Sequence, residues 1–269
     1  MKGIIIAAGP CKRLRPFTEH LPKCMLKING KPIVENIMDL FRKNGINDIS
    51  IVVGHKKEKI TYSNITYFEN MNFWDNNVLH SFIFARPKLE EAIKTEEDVV
   101  VTYSDILFED TVLRDLLKSK DDIASIIDTD WIDYYEGRTD HPISEAENVI
   151  MDKNKRILKI GKDVFTDGVQ KERHGEFIGL WKFTPNGIKI FLKHFDRLNS
   201  NLKMTDPYQN MKEWQKSYIT DIFQEMIDKG EKIYGVLIQK KWKEFDTVQD
   251  FLRAGGEMPE GLLKGEKGK

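Results

Sequence analysis

The sequence predicts an α/β fold with helices on both faces of a mixed, mostly parallel central sheet, and three observations predict it. The run from Lys2 to Ala8 is apolar almost throughout and stops at Gly9, which suits a strand buried on both faces. Apolar strands then alternate with segments of helical spacing through the first half of the chain. From about residue 123 the pattern changes to short β-rich pieces between polar turns, which adds a small β-layer.

The first run is the expected central strand. In "PIVENIMDLFRKNG" the apolar positions Ile33, Ile37, Leu40 and Phe41 recur at helical spacing, with Pro32 before the run and Gly45 as its stop. That is the first crossover helix. "DISIVVG", "NITYFEN" and "DVVVTYSD" read as further strands, and the helical "NVLHSFIFARPKLEEAI" precedes the last of them, so this half is doubly wound. The later strands are "IASIID", "ENVIMD", "RILKIG" and "GEFIGLWKF". Helices are expected over Pro185 to Phe195 and about Tyr218 to Lys229, followed by the strand "KIYGVLI" and a last helix from Thr247. Residues 1–253 make one folded unit, and residues 254–269, "AGGEMPEGLLKGEKGK", have the composition of a flexible C-terminal tail.

The chain has 269 residues, enough for a sizeable core, and its 42 basic and 43 acidic side chains nearly balance. No global field recommends nucleic acid or an anionic membrane, so positive charge has to act locally. Cys11 and Cys24 are too few for a disulfide scaffold and lack the partners of a zinc site. A reduced, cytoplasmic protein without membrane insertion is the expectation, and no apolar run approaches a membrane helix. A homodimer stays open.

Local positive charge gathers where the first strand ends. "AAGPCKRLRPFTEHLPK" carries Lys12, Arg13, Arg15 and Lys23 beyond the carboxyl end of a parallel strand, where open sheets bind ligands. Neither G-x-x-x-x-G-K-[ST] nor G-x-G-x-x-G occurs there, so two common phosphate loops are excluded. The segment resembles instead the signature of the sugar-phosphate and phosphocholine nucleotidyltransferases, A-A-G-x-G-[ST]-R-[LM]-x-P-x-T followed by P-K. Ala7, Ala8, Gly9, Arg13, Leu14, Pro16, Thr18, Pro22 and Lys23 match it, while Cys11 replaces a glycine and Lys12 a small hydroxyl residue. "FWDNNVLHSFIFAR", "GRTDHPISEAENVIMDKNKRILKIGK", "GEFIGLWKF", "SYITDIFQEMIDKG" and "WKEFDTVQDF" are similar to later segments of the phosphocholine cytidylyltransferases, so the resemblance spans roughly Met1 to Leu252.

The resemblance implies a Rossmann-like three-layer αβα nucleotidyltransferase domain and a reaction in which CMP passes from CTP to a small phosphorylated or phosphonate acceptor. It implies catalytic roles for Arg13 on the outer phosphates and Lys23 on the reacting phosphates, with Ala7, Ala8, Gly9, Lys12, Asn76 and Asn77 beside the nucleotide. Mg²⁺ is implied between Asp105, which closes "VVVTYSD", and Asp246, which follows "WKEF". Lys162, Glu176 and Gly179 are the implied acceptor residues. Trp131, in the polar "DTDWIDYYEGR", is a candidate wall for a choline-like cation. Each residue also has a plainer reading: Asp246 as the cap of the last helix, Asn76 and Asn77 as caps, Lys162 as a solvated charge, and the aromatics as core. His80 is expected to pack rather than to react. A sugar-1-phosphate nucleotidyltransferase using UTP or dTTP, and a non-catalytic module of the same fold, are the alternatives.

Overall fold

The computed structural model describes residues 1–162, 164 and 173–256, so most of the anticipated tail lies outside the described residues. Strand β1 (Lys2–Ala7) is buried along its whole length. Strands β2 (Lys27–Ile28) and β3 (Lys31–Pro32) form a small hairpin before helix α1 (Ile33–Lys43). Next come β4 (Asp48–Val53), β5 (Thr66–Glu69), α2 (Val78–Phe82), α3 (Arg86–Lys94) and β6 (Val99–Tyr103). Strand β7 (Ile106–Phe108), helix α4 (Asp110–Lys118) and strands β8 (Ile123–Asp128), β9 (Asn148–Met151), β10 (Ile157–Gly161) and β11 (His174–Phe183) follow. Helices α5 (Pro185–Asn201) and α6 (Ile219–Asp228), strands β12 (Tyr234–Ile238) and β13 (Trp242–Glu244), and helix α7 (Val248–Arg253) complete the described chain.

Alternation along β1 builds the three layers. Ile4 and Ile6 face a core that also holds Leu79 of α2, Leu89 of α3, Phe191 of α5 and Phe223 of α6. Ile5 and Ala7 face the opposite core with Phe41 of α1, Leu116 of α4 and Phe251 of α7. A strand that feeds two cores has no polar face, which is why the run from Gly3 to Ala8 reads as continuous rather than alternating.

The sheet is mixed. Parallel pairing joins β5, β4, β1 and β6, and antiparallel pairing then joins β6 to β11. Strand β11 meets β6 through Leu180–Phe183, β9 through His174–Glu176, and β8 along its other edge, with β12 parallel to β8. The β-rich pieces after residue 123 therefore extend the central sheet, and the small additional sheets are the β2–β3 and β7–β13 pairs.

The register of β11 against β8 shifts between Phe177 and Trp181. Gly179 has a positive φ of 78° there, and a Cβ on it would lie 2.3 Å from the ring of Tyr103. The bulge lets Tyr103 lie against bare backbone. It also turns the stretch from Glu176 to Ile178 toward the carboxyl ends of β1 and β6.

Candidate active site

Beyond the carboxyl ends of β1 and β6 lies a cavity of about 300 Å³. Its floor is Ala7, Ala8 and Gly9, one wall is the loop carrying Cys11, Arg13 and Lys23, and Asn76 and Asn77 stand on another side. The far end is made by Tyr135, Glu145, Glu147, Lys162, Glu176 and Tyr218. Asp105, Glu244 and Asp246 separate the two ends.

The β7–β13 pair sets the distance between the two aspartates. Glu244 is opposite Ile106, and the Phe245 amide donates to the Asp105 carbonyl at 2.9 Å, so Asp105 and Asp246 flank one end of the same ribbon. The Trp242 indole anchors that ribbon by donating to Asp128 Oδ2 at 2.7 Å, and Asp128 is 1 % exposed. Asp246 does not cap α7. Thr247 does so in a capping box with Asp250, which leaves the Asp246 carboxylate to the cavity.

Lys23 ties this centre together. Its side chain is buried, and its ammonium donates to Asp105 Oδ2 at 2.8 Å and to Asp246 Oδ1. Arg13 donates to Asp246 Oδ2 from the open side. Burial alone would raise the Asp246 carboxyl, but the Lys23 ammonium, with His141 and Arg13, holds it well below the usual carboxylate range. Burial would likewise lower Lys23, and Asp105 and Asp246 hold it well above its ordinary value. Asp105 Oδ1 is buried with no hydrogen-bond partner. An orphaned carboxylate oxygen next to an ionised carboxylate is a donor set that suits a hard divalent cation, so the residues fit the implied metal.

The loop departs from the family signature in sequence at Cys11 and Lys12. Cys11 has φ 43° and ψ 60°, left-handed values at the position where the signature has glycine. Its carbonyl accepts from Thr18 Oγ1 at 2.9 Å, which closes the loop, and burial raises its thiol to about 11. Cys11→Gly is therefore expected to raise the urea midpoint, by up to about 1 kcal/mol in stability, because a glycine releases the left-handed strain. Turnover should stay within about tenfold, one factor of ten being about 1.4 kcal/mol in the barrier. Lys12 does not line the cavity and stands over the Trp74 ring at 5.6 Å.

At the far end Lys162 donates to Glu145 at 2.7 Å and lies 4.6 Å from the Tyr218 ring centroid. Tyr135 donates to Glu176 Oε1, while Glu176 Oε2 is buried and unpartnered, and burial pushes the Glu176 carboxyl well above its ordinary range. Gly179 is set back beneath Tyr103 and does not line the cavity. Trp131 is also one layer back: at 1 % exposure it packs edge-on to Tyr135, 5.6 Å between ring centroids, and supports the residue that does face the cavity. Asn77 caps α2 and donates to the Lys216 carbonyl at 3.0 Å, and Asn76 exchanges side-chain hydrogen bonds with Asn70. His80 is core, with Nε2 2.9 Å from the Trp214 carbonyl.

Burial raises Glu147 to about 7, with Thr220 donating to it. A folded state that keeps this proton longer than the unfolded chain loses stability as pH rises from about 4.5 toward 7. Glu147→Gln removes that loss. The melting temperature of the variant relative to the parent should climb across this window and level off above it, in a pH series of thermal denaturation.

His141, Glu145, Glu147, Tyr218 and Glu244 are cavity residues the sequence reading did not single out. His141 is buried, with Nδ1 3.1 Å from Asp246 Oδ2, and it sits in an irregular loop whose polar sequence carries no periodic signal. Glu244 lies in the quoted "WKEF", where strand alternation with Trp242 would have placed both on the same face of the ribbon.

A glycine-containing cationic loop at the end of the first strand faces paired aspartates across a cleft, and residues 2–134 match the family described as nucleotidyl transferase. Within that class the chain is similar to cytidylyltransferases. A CTP:phosphoglutamine cytidylyltransferase from Campylobacter jejuni is 27 % identical over 255 residues, covering 93 % of this chain and 97 % of the relative. A choline-phosphate cytidylyltransferase from Streptococcus pneumoniae is 27 % identical over 231 residues, covering 84 % and 95 %. Among solved structures, a CTP:phosphocholine cytidylyltransferase from Streptococcus pneumoniae superposes with a TM-score of 0.69 at 21 % identity, covering 98 % of this chain and 99 % of that one, which shows the shared fold. No helix among the described residues is long and apolar enough to cross a membrane.

Proposed function

We propose that the protein transfers CMP from CTP to the phosphate or phosphonate of a small, phosphocholine-like acceptor and releases pyrophosphate. The observation that carries this reading is the Lys23 ammonium held between Asp105 and Asp246 at the centre of a cleft with two differently built ends. The names of the two cytidylyltransferase relatives support the choice of CTP.

Arg13 and the backbone of Ala7, Ala8 and Gly9 take the nucleotide end. Lys162 takes the acceptor's phosphate, and Tyr135 with Glu176 meets the far end of the acceptor. An acceptor phosphate oxygen attacks the α-phosphorus, an oxygen–phosphorus bond forms, and the bond from the α-phosphorus to its bridging oxygen breaks. The electron pair leaves with pyrophosphate. A phosphomonoester has its second pKa near ~6, so the attacking oxygen is already anionic at neutral pH and the chain need not supply a general base. Lys23 answers the charge at the reacting phosphate and Arg13 that of the departing pyrophosphate. Asp105 and Asp246 would hold Mg²⁺, which neutralises triphosphate charge when bound.

Pyrophosphate release tests the reading, with CTP, UTP and dTTP each offered with phosphocholine, phosphoglutamine, 2-aminoethylphosphonate and a sugar 1-phosphate. CTP with one of the first three acceptors should be the fastest pair. A tenfold advantage of UTP or dTTP with the sugar phosphate would replace the cytidylyl assignment while leaving the nucleotidyl one.

A further inference from the structure

We propose that His141 is a metal ligand, so that the divalent site joins an imidazole nitrogen to the carboxylates of Glu244 and Asp246 and favours a transition metal such as Mn²⁺ over Mg²⁺. The inference rests on the cation assigned above to Asp246 and goes beyond it in donor type and metal preference.

One donor atom each from His141, Glu244 and Asp246 lies within 4.8 Å of the others. His141 Nδ1 is 3.1 Å from Asp246 Oδ2 and 3.6 Å from Glu244 Oε2. Adjacent ligands of an octahedral ion with bonds of about 2.1 Å stand roughly 3 Å apart, so the first pair already has the spacing of neighbouring ligands. The ring is 5 % exposed and cannot swing away freely.

Hydrogen bonding alone gives Nδ1 conflicting partners. Arg138 Nη2, a permanent donor, lies 3.1 Å from it, and the Asp246 carboxylate, an acceptor, lies equally close. A proton on Nδ1 suits Asp246 and opposes Arg138, and a lone pair does the reverse. A cation shared by Nδ1 and Oδ2 removes the conflict with Asp246 and takes that oxygen from Arg13, whose half-exposed side chain can move aside. Arg138 Nη2 then keeps Glu244 at 3.1 Å and Asp250 at 2.9 Å as acceptors. Asp105 Oδ1, buried and without a hydrogen-bond partner, lies at the same end of the ribbon, where Lys23 meets Asp105 and Asp246.

Imidazole is a borderline donor that suits first-row transition metals better than it suits Mg²⁺, whose sites are built from oxygen. Pulsed EPR of the full chain with Mn²⁺ tests this directly. Expected is a ¹⁴N modulation from one directly bound imidazole, absent in His141→Asn, together with a Mn²⁺ dissociation constant raised about tenfold or more and a Mg²⁺ constant changed less than about threefold. Bound Mn²⁺ without ¹⁴N coupling, or an equal loss of both metals in the variant, would make His141 only a hydrogen-bonding neighbour of Asp246 and overturn the inference. CTP turnover with Mg²⁺ measured on the same preparations separates the two readings. If turnover persists while the nitrogen signal is missing, the ligand assignment alone fails, and if neither Mn²⁺ binding nor turnover is found, the proposed function fails with it.

Discussion

Lys23→Ala should lower kcat by about 10²–10³-fold while changing the KM for CTP far less, the scale seen when one donor aimed at developing charge is removed from an active site. The lysine is buried and its partners are the two cavity aspartates, so its charge is directed at one point rather than spread over a binding surface. In the proposed function, binding of the outer phosphates rests on Arg13. The same variant has a second consequence. Asp105 and Asp246 lose the ammonium they share, and removing one partner of a buried ion pair costs about 3–5 kcal/mol. Without divalent cations the variant should therefore unfold more easily than the parent. Added cation should restore much of that stability, because it replaces the missing charge, and should bind more tightly than it does to the parent. Thermal denaturation with and without Mg²⁺, beside steady-state kinetics, checks both halves. A variant that loses turnover and stability equally at every cation concentration would mean that Lys23 holds up the fold and does nothing else.

Much of this arrangement was readable in the sequence, and the limit of that reading has a physical form. Strand β1 and helix α1 announce themselves because each buries a face whose period is written in consecutive residues. The loop from Gly9 to Lys23 is legible for another reason: its cations and prolines follow a buried strand, where an ion is otherwise unexplained. Asp105 and Asp246 could be proposed from the ends of their strands, but their closeness is a product of the β7–β13 pairing across more than half the chain. His141 could not be proposed at all, since it reaches Asp246 only because Arg138 is buried between Asp250 and Glu244 and fixes the loop from Trp131 to Glu145 over the cleft. Trp131 shows the converse. Its polar neighbours in sequence suggested a pocket wall, whereas the folded loop turns the indole inward and leaves Tyr135 at the surface of the cavity. At Gly179 the decisive contact is the Tyr103 ring, a neighbour no local pattern contains.

Asp246→Asn should reduce turnover by about three orders of magnitude and leave the fold in place, the scale of a lost electrostatic contribution at a reacting centre. The cap of α7 is the reason the fold survives. Thr247 and Asp250 satisfy that helix end between themselves, so the last helix does not depend on the residue before them. The chemistry fails for a different reason. An amide keeps the shape of the carboxylate but supplies no charge, and its oxygen alone would have to serve Lys23, Arg13 and any divalent cation at once. Asn also turns an N–H₂ donor toward Lys23, Arg13 or His141, whichever its rotamer faces, and two of these are cations. Kinetics across a Mg²⁺ titration give the discriminating readout. If Asp246 supplies charge to the cation, the apparent Mg²⁺ constant rises in the variant and high Mg²⁺ recovers a small part of the lost rate. If it serves mainly to orient Lys23, the Mg²⁺ constant stays put and no concentration of the ion recovers anything. Near-parental turnover at limiting Mg²⁺ would show that Asp246 takes no part in the reaction, and circular dichroism of the same sample, unchanged from the parent, is the control that keeps a lost rate from being read as a lost helix.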